Sequence, residues 1–115
     1  MIPGDVVLIR FPFADMSGTK VRPGLVISSV TQLSQGADAI FMAITTNTTN
    51  QRPTDFLLEP THLEFTATGL RQPSVFRADK IHCLEKKLAY RRLGSIGPMI
   101  TSEISNRVNI VLEFK

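Results

Sequence analysis

The amino-acid sequence predicts a mainly β domain, a small twisted antiparallel sheet or barrel closed by one C-terminal helix. Three observations carry that expectation. Short runs rich in β-branched and aromatic residues follow one another from Asp5 to Leu84, separated by Gly, Pro, Asn and Asp. After Gly97-Pro98 the apolar period changes, with Ile100, Ile104, Val108 and Val111 recurring at spacings of four, four and three. The 115 residues fit a single domain, 1–115, without linkers, repeats or low-complexity stretches. At 43% hydrophobic and 20% charged residues, the chain has enough apolar content for a packed core, which excludes a disordered segment.

The elements follow in order. Asp5 to Phe13 is a first strand, preceded by Gly4 and followed by the turn-forming Asp15-Met16-Ser17-Gly18. Val21 to Val30 is a second. Pro23 lacks a ladder donor, so it must lie in the first residues of that strand or on an edge. Ala37 to Thr45 is a nearly continuous apolar run, as expected of a strand buried on both faces. Asp55 to Leu58 is a short fourth strand and Ser74 to Leu84 a fifth. Alternation in the fifth is imperfect, because Arg77 and Asp79 share the parity of Val75, Ile81 and Cys83. Met99 to Glu113 is one amphipathic helix, with Pro98 tolerated in its first turn.

Composition excludes several classes. No apolar run approaches the ~20 residues of a membrane span, and the N-terminus lacks signal-peptide features. A cytoplasmic location is therefore expected. Cys83 is the single cysteine, so no intramolecular disulfide forms. It is expected on a buried strand face, with His82 turned to the surface or a loop. A formal charge of +3 permits an anionic partner without demanding one. Lys86, Lys87, Arg91 and Arg92 form one basic group, read on charge alone as a solvated face, and Lys20 and Arg22 a smaller one. Ser17-Gly18-Thr19-Lys20 lacks Walker-loop spacing. His62 and His82 fall in different segments, and His82-Cys83 adjacency is not metal-ligand spacing. No metal and no cofactor are expected.

A polar set at strand ends remains. Arg22 precedes Pro23, which pushes it into an extended conformation at a loop-to-strand junction. Thr45 and Thr46 end an otherwise apolar strand, and Asn47-Thr48-Thr49-Asn50 follow as a polar loop. Each has a plain reading: Arg22 as a surface ion-pair partner, Thr45 as a strand-end residue bonding a turn. Taken singly, the plain reading is preferred for both; the combination says more. Cleavage of RNA by its own 2'-hydroxyl needs help in removing the 2'-proton, a donor for the leaving 5'-oxygen and charge stabilisation of the phosphorane. Arginine suits the last role, because its planar fork of donors matches phosphate oxygens. A threonine hydroxyl and backbone N–H groups supply further donors.

These residues lie within a larger pattern. Gly4-Asp5-Val6-Val7-Leu8-Ile9-Arg10-Phe11-Pro12-Phe13, then Asp15-Met16-Ser17-Gly18-Thr19-Lys20, then Arg22-Pro23-Gly24-Leu25-Val26-Ile27-Ser28, resembles the opening of the MazF/PemK family of type II toxins. Ala43-Ile44-Thr45 resembles the end of that family's third strand. Thr68-Gly69-Leu70-Arg71-Gln72-Pro73-Ser74-Val75, followed by Ala78-Asp79-Lys80-Ile81, resembles its fourth block. The resemblance covers nearly the whole chain.

It implies a small SH3-like barrel with a C-terminal helix, the MazF/CcdB-like fold, assembled as a homodimer. It also implies a metal-independent endoribonuclease toxin that cleaves single-stranded RNA, mRNA included, to a 2',3'-cyclic phosphate and a 5'-hydroxyl, restrained by a cognate antitoxin. The family's catalytic arginine falls on Arg22 and its catalytic threonine on Thr45, with Thr46 the register alternative. The loop from Ala14 to Val21 borders the family's RNA groove, so Ser17, Thr19 and Lys20 would contact RNA, as would Thr46 and Asn47. With one tyrosine and no tryptophan, base stacking would rest on Phe56, Phe65 or Phe76, most of which belong to the core. Two other functions fit the fold: a catalytically inactive toxin-fold binding module, and a CcdB-like DNA gyrase poison relying on Phe114-Lys115 at the helix end.

Overall fold

Strand β1 (Asp5–Pro12) divides its apolar residues between two layers, and the rest of the chain is arranged around that division. Val6 joins a cluster with Leu25, Met42, Ile44, Phe76, Ile100 and Ile104. Val7, Ile9 and Phe11 point the other way, into a cluster with Val26, Leu33, Ala39 and Phe41. A strand with apolar contacts on both faces reads as a continuous hydrophobic run, which is why β1 and β3 look as they do in sequence.

The computed structural model describes residues 1–12 and 17–113. After β1 come β2 (Thr19–Val26), the short helix α1 (Val30–Leu33), β3 (Asp38–Thr45), β4 (Asp55–Leu58), β5 (Ser74–Glu85), β6 (Ala89–Ser95) and helix α2 (Pro98–Val111). The six strands form one antiparallel sheet in the order β4-β5-β3-β2-β1-β6. Helix α2 covers one face, burying Ile100 and Ile104, and a side chain of that kind contributes about 1.5–3 kcal/mol when fully buried. The expected mainly β fold with a C-terminal helix is therefore observed, as a bent sheet without a ladder between β4 and β6.

That gap is filled by backbone packing. The segment leading to Gly69 lies against β6, where a Cβ on Gly69 would strike the Leu93 carbonyl and a Cβ on Gly94 would strike the Ala67 carbonyl. Only hydrogen at both positions permits the approach. Gly69 also has a φ of 75°, which side-chain-bearing residues rarely adopt.

Glu64, in the same connection, caps helix α2 from a distance. Its Oε2 accepts from the Met99 N–H at 2.9 Å and its Oε1 from the Ile100 N–H at 2.8 Å, because Gly97 at the N-cap has no side chain to offer. Desolvation acts to raise the Glu64 pKa, but bonds from Ile100, Met99 and Gly97 and attraction to His62 outweigh it, so the carboxyl sits below its ordinary 4.5. A depressed carboxylate contributes stability that is present above the ordinary value and is lost as pH falls through the folded-state value. Urea unfolding of wild type and Glu64→Gln should therefore differ most near neutrality, with the difference shrinking as pH falls below the ordinary 4.5. A constant difference at every pH would refute the carboxylate cap.

Several expectations change. The first strand was drawn to Phe13; it ends at Pro12, and residue 13 lies outside the described residues. The second ends at Val26 rather than Val30, because Ser28 and Ser29 turn the chain. Ser28 Oγ accepts from the Ile40 N–H at 2.5 Å, and Ser29 Oγ caps α1 through the Gln32 N–H at 3.1 Å. The helix runs Pro98–Val111 rather than Met99 to Glu113. Strand β6 was not expected at all.

Cys83 is exposed, not buried. The β3–β5 register jumps between Met42 opposite Ile81 and Ala43 opposite Arg77, and this bulge resets the parity of everything after it. His82 takes the covered position, edge-on to Phe11 with ring centroids 5.1 Å apart. Burial lowers the pKa of His82, and Lys80 lowers it further. Among the described residues no helix is long and apolar enough to cross a membrane.

Candidate active site

Where β2 and β3 part, their register brings the two central candidates together. Gly24 lies opposite Ala43, Leu25 opposite Met42 and Val26 opposite Phe41. Carried on by two residues, the same register sets Arg22 across from Thr45, projecting on the face of Ala43. Lys20, two residues before Arg22, shares that face, whereas Thr19 takes the other. Pro23 falls opposite Leu8 in the middle of β2, not in its first residues as expected; pairing with β3 begins only at Gly24, so at Pro23 the strand is unpaired on that side, as at an edge.

Thr45, together with Pro23 but not Arg22, lines a groove of about 670 Å³ whose polar wall includes Thr46, Arg71, Gln72, Arg91 and Arg92. Thr45 Oγ1 accepts from the Asn47 N–H at 3.2 Å, the turn contact expected of a strand-end threonine. The oxygen is the acceptor in that bond, so the hydroxyl proton is left to donate. Asn47 is occupied in the following turn, where its Oδ1 accepts from the Thr49 N–H at 3.1 Å and the Thr49 hydroxyl at 2.7 Å. Thr46 is exposed on the groove. Thr19, Lys20 and Ser17 are exposed on the approach to β2 and do not line the groove. Ala14, Asp15 and Met16 lie outside the described residues, as do Phe114 and Lys115.

The arginines of the surface divide into paired and unpaired, and the groove holds both kinds. Arg52, Arg77, Arg92 and Arg107 each have a carboxylate partner, at distances from 2.5 to 3.8 Å. Arg52 and Arg77 both pair with buried Asp55, whose backbone carbonyl also accepts from Arg107 Nε at 2.9 Å, tying β4 to α2. Arg77 Nε approaches Asp55 Oδ1 at 2.9 Å without aiming its N–H at that oxygen, so the contact is ionic rather than a hydrogen bond. Arg10, Arg22, Arg71 and Arg91 have no carboxylate partner among the described residues. An unneutralised guanidinium presents its full fork to an anion.

Sequence reasoning missed Arg71, Gln72 and Arg91. The first two belong to a block noted for its pattern rather than its side chains, and Arg91 was absorbed into a basic run. The run divides: Lys86 bonds the Leu33 carbonyl and Lys87 pairs with Glu85, as a plain surface would, while Arg91 faces the groove. Phe56, Phe65 and Phe76 are all buried, at 8%, 8% and 0% exposure, so none offers a ring face to a base. Among the described residues no cluster of His, Cys, Asp and Glu could hold a metal ion.

Comparison with known proteins places this geometry. Residues 2–112 match the family model of the PemK-like, MazF-like toxin of type II toxin-antitoxin systems. No curated protein sequence matches. Among solved structures, the chain is similar to a mycobacterial endoribonuclease in complex with its cognate antitoxin, at 20% identity and a TM-score of 0.76, covering 100% of this chain and 99% of that one. It is similar to the MazE–MazF structure from Deinococcus radiodurans at 19% identity and a TM-score of 0.75, covering 100% and 98%. Mycobacterium tuberculosis toxin MazF-mt6 follows at 18% identity and a TM-score of 0.74, covering 96% and 99%. Such identities establish the fold, and the family match extends over almost the entire chain. The chain belongs to the PemK-like, MazF-like toxins of type II toxin-antitoxin systems.

Proposed function

We propose that the chain is an endoribonuclease that cleaves single-stranded RNA, mRNA included, by transesterification. What supports this reading is the β2–β3 register, which carried two residues past its last pair sets Arg22 across from Thr45, next to a groove in which Arg71 and Arg91 have no carboxylate partner among the described residues while Arg92 is paired with Asp5. In the proposed step the 2'-hydroxyl gives up its proton as its oxygen attacks phosphorus, the bond to the 5'-oxygen breaks, that oxygen takes up a proton, and the products are a 2',3'-cyclic phosphate and a 5'-hydroxyl. Arg22 binds the phosphorane oxygens as their charge develops. The Thr45 hydroxyl donates to the same centre, held by its bond from Asn47. Arg71 and Arg91 hold flanking phosphates along the groove, with Thr46 beside them, and Lys20 adds positive charge on the face of Arg22 outside the groove.

The solved relatives in complex with antitoxin support a cognate antitoxin partner here. A two-fold homodimer in the cytoplasm completes the proposal. Sedimentation at micromolar concentration tests the dimer, and a monomer there would remove it. The chemistry uses no metal, so purified protein incubated in EDTA with a long unstructured RNA should give a limited set of fragments ending in 2',3'-cyclic phosphate. Intact RNA from folded protein would overturn the nuclease reading in favour of a binding module.

A further inference from the structure

Among the described residues the phenylalanines are buried, but the ring of Tyr90 is not. Tyr90 on β6 is 53% exposed, and it is the single tyrosine of a chain without tryptophan. Its position is built by a bulge: Leu8 pairs with Arg91 and Ile9 with Ala89, leaving Tyr90 as the extra residue of β6. Bulges re-aim a side chain, and this one brings the ring to Arg10, whose guanidinium carbon lies 5.7 Å from the ring centroid.

The ring also stands in line with the groove. Leu8 has Pro23 on one side and Arg91 on the other, and both of those residues line the groove. Arg10, two residues along from Leu8, projects on the same face. Tyr90 and Arg10 do not line the groove itself; Tyr90 lines a smaller depression of about 200 Å³ that shares Arg91 and Arg92 with it, about 10 Å or two strand spacings from the Pro23 strand. That separation suits a nucleotide neighbouring the one at Thr45. Every base has a face that stacks on an aromatic ring, and a guanidinium beside the ring favours the accompanying phosphate. Arg10, Arg71 and Arg91 have no carboxylate partners among the described residues, so the surroundings favour a polyanion over a protein.

We infer that Tyr90, backed by Arg10, is a base-stacking platform for a nucleotide flanking the cleaved phosphate, an inference that rests on the RNA-cleavage reading above. Because Tyr90 is the only tyrosine and there is no tryptophan, tyrosine emission comes from this ring alone. The test is titration of the full chain with an unstructured oligonucleotide that is 2'-O-methylated, and so cannot be cleaved. Binding is followed by anisotropy of a label on the oligonucleotide, and stacking by tyrosine emission. The expected result is binding that quenches most of the emission. Tyr90→Leu should bind on the order of 10-fold more weakly, while Tyr90→Phe should bind like wild type. Binding with unchanged emission and an unimpaired Tyr90→Leu would overturn the platform and leave the nuclease reading standing. Emission that responds to dilution but not to the oligonucleotide would overturn it too, by assigning Tyr90 to a contact between subunits. Absence of binding altogether would overturn both.

Discussion

Arg22→Ala is expected to lower RNA cleavage by about 10²–10³-fold, the cost of removing a donor aimed at charge that develops in the transition state. Stability should change little, because the Arg22 side chain has no carboxylate partner among the described residues and is absent from both apolar clusters. Arg22→Lys separates charge from geometry. Lysine keeps the positive charge but loses the planar fork, so it should recover only part of the lost rate. Thr45→Val, which keeps the shape and deletes the hydroxyl, should fall between wild type and Arg22→Ala. The measurement is the single-turnover rate on a defined RNA, with urea unfolding of each variant in parallel. Normal cleavage by a folded Arg22→Ala protein would remove Arg22 from the mechanism.

The largest effect on stability is expected at the seam between β6 and the segment before Gly69. A methyl at Gly94 has to displace the Ala67 and Thr68 backbone, and backbone cannot swing aside as a side-chain tip does. Gly94→Ala should cost roughly 2–4 kcal/mol, at the upper end of overpacking effects. Gly69→Ala meets the Leu93 carbonyl and adds the strain of its positive φ, so it should be at least as damaging. Both are read from the midpoint of urea unfolding with the slope unchanged. An unshifted midpoint in either variant would mean that the seam contributes nothing to holding the sheet closed.

The parts of this molecule legible in the sequence were those where one physical signal dominates. Strands β1 and β3 are buried on both faces, so their hydrophobic runs announce them, and Ile100, Ile104 and Val108 mark α2 by period alone. Strand β6 carries Tyr90, Arg91 and Arg92 in succession, because as an edge strand it is covered mainly near its end, at Gly94. No alternation survives there to be read. Cys83 was misplaced for a related reason: the bulge opposite Met42 and Ala43 shifts the parity that the reading assumed to run unbroken. Arg22 and Thr45 were legible as strand-end polar residues flanking Pro23 and an apolar run. That they lie across from each other depends on the β2–β3 register, which no local pattern encodes. Arg71 and Arg91 come from segments twenty residues apart, so only the fold brings them to one groove.

The pairing of β1 with β6 sets an order in time as well as in space. The sheet places its first strand beside its last, so a nascent chain that has not reached Ser95 has Arg22 but lacks the wall that Arg91 and Tyr90 build. Contacts between the two ends of a chain form late, because a long loop must close before they can repay its entropy. A chain assembled in this way completes this side of the sheet only when synthesis has passed its last strand.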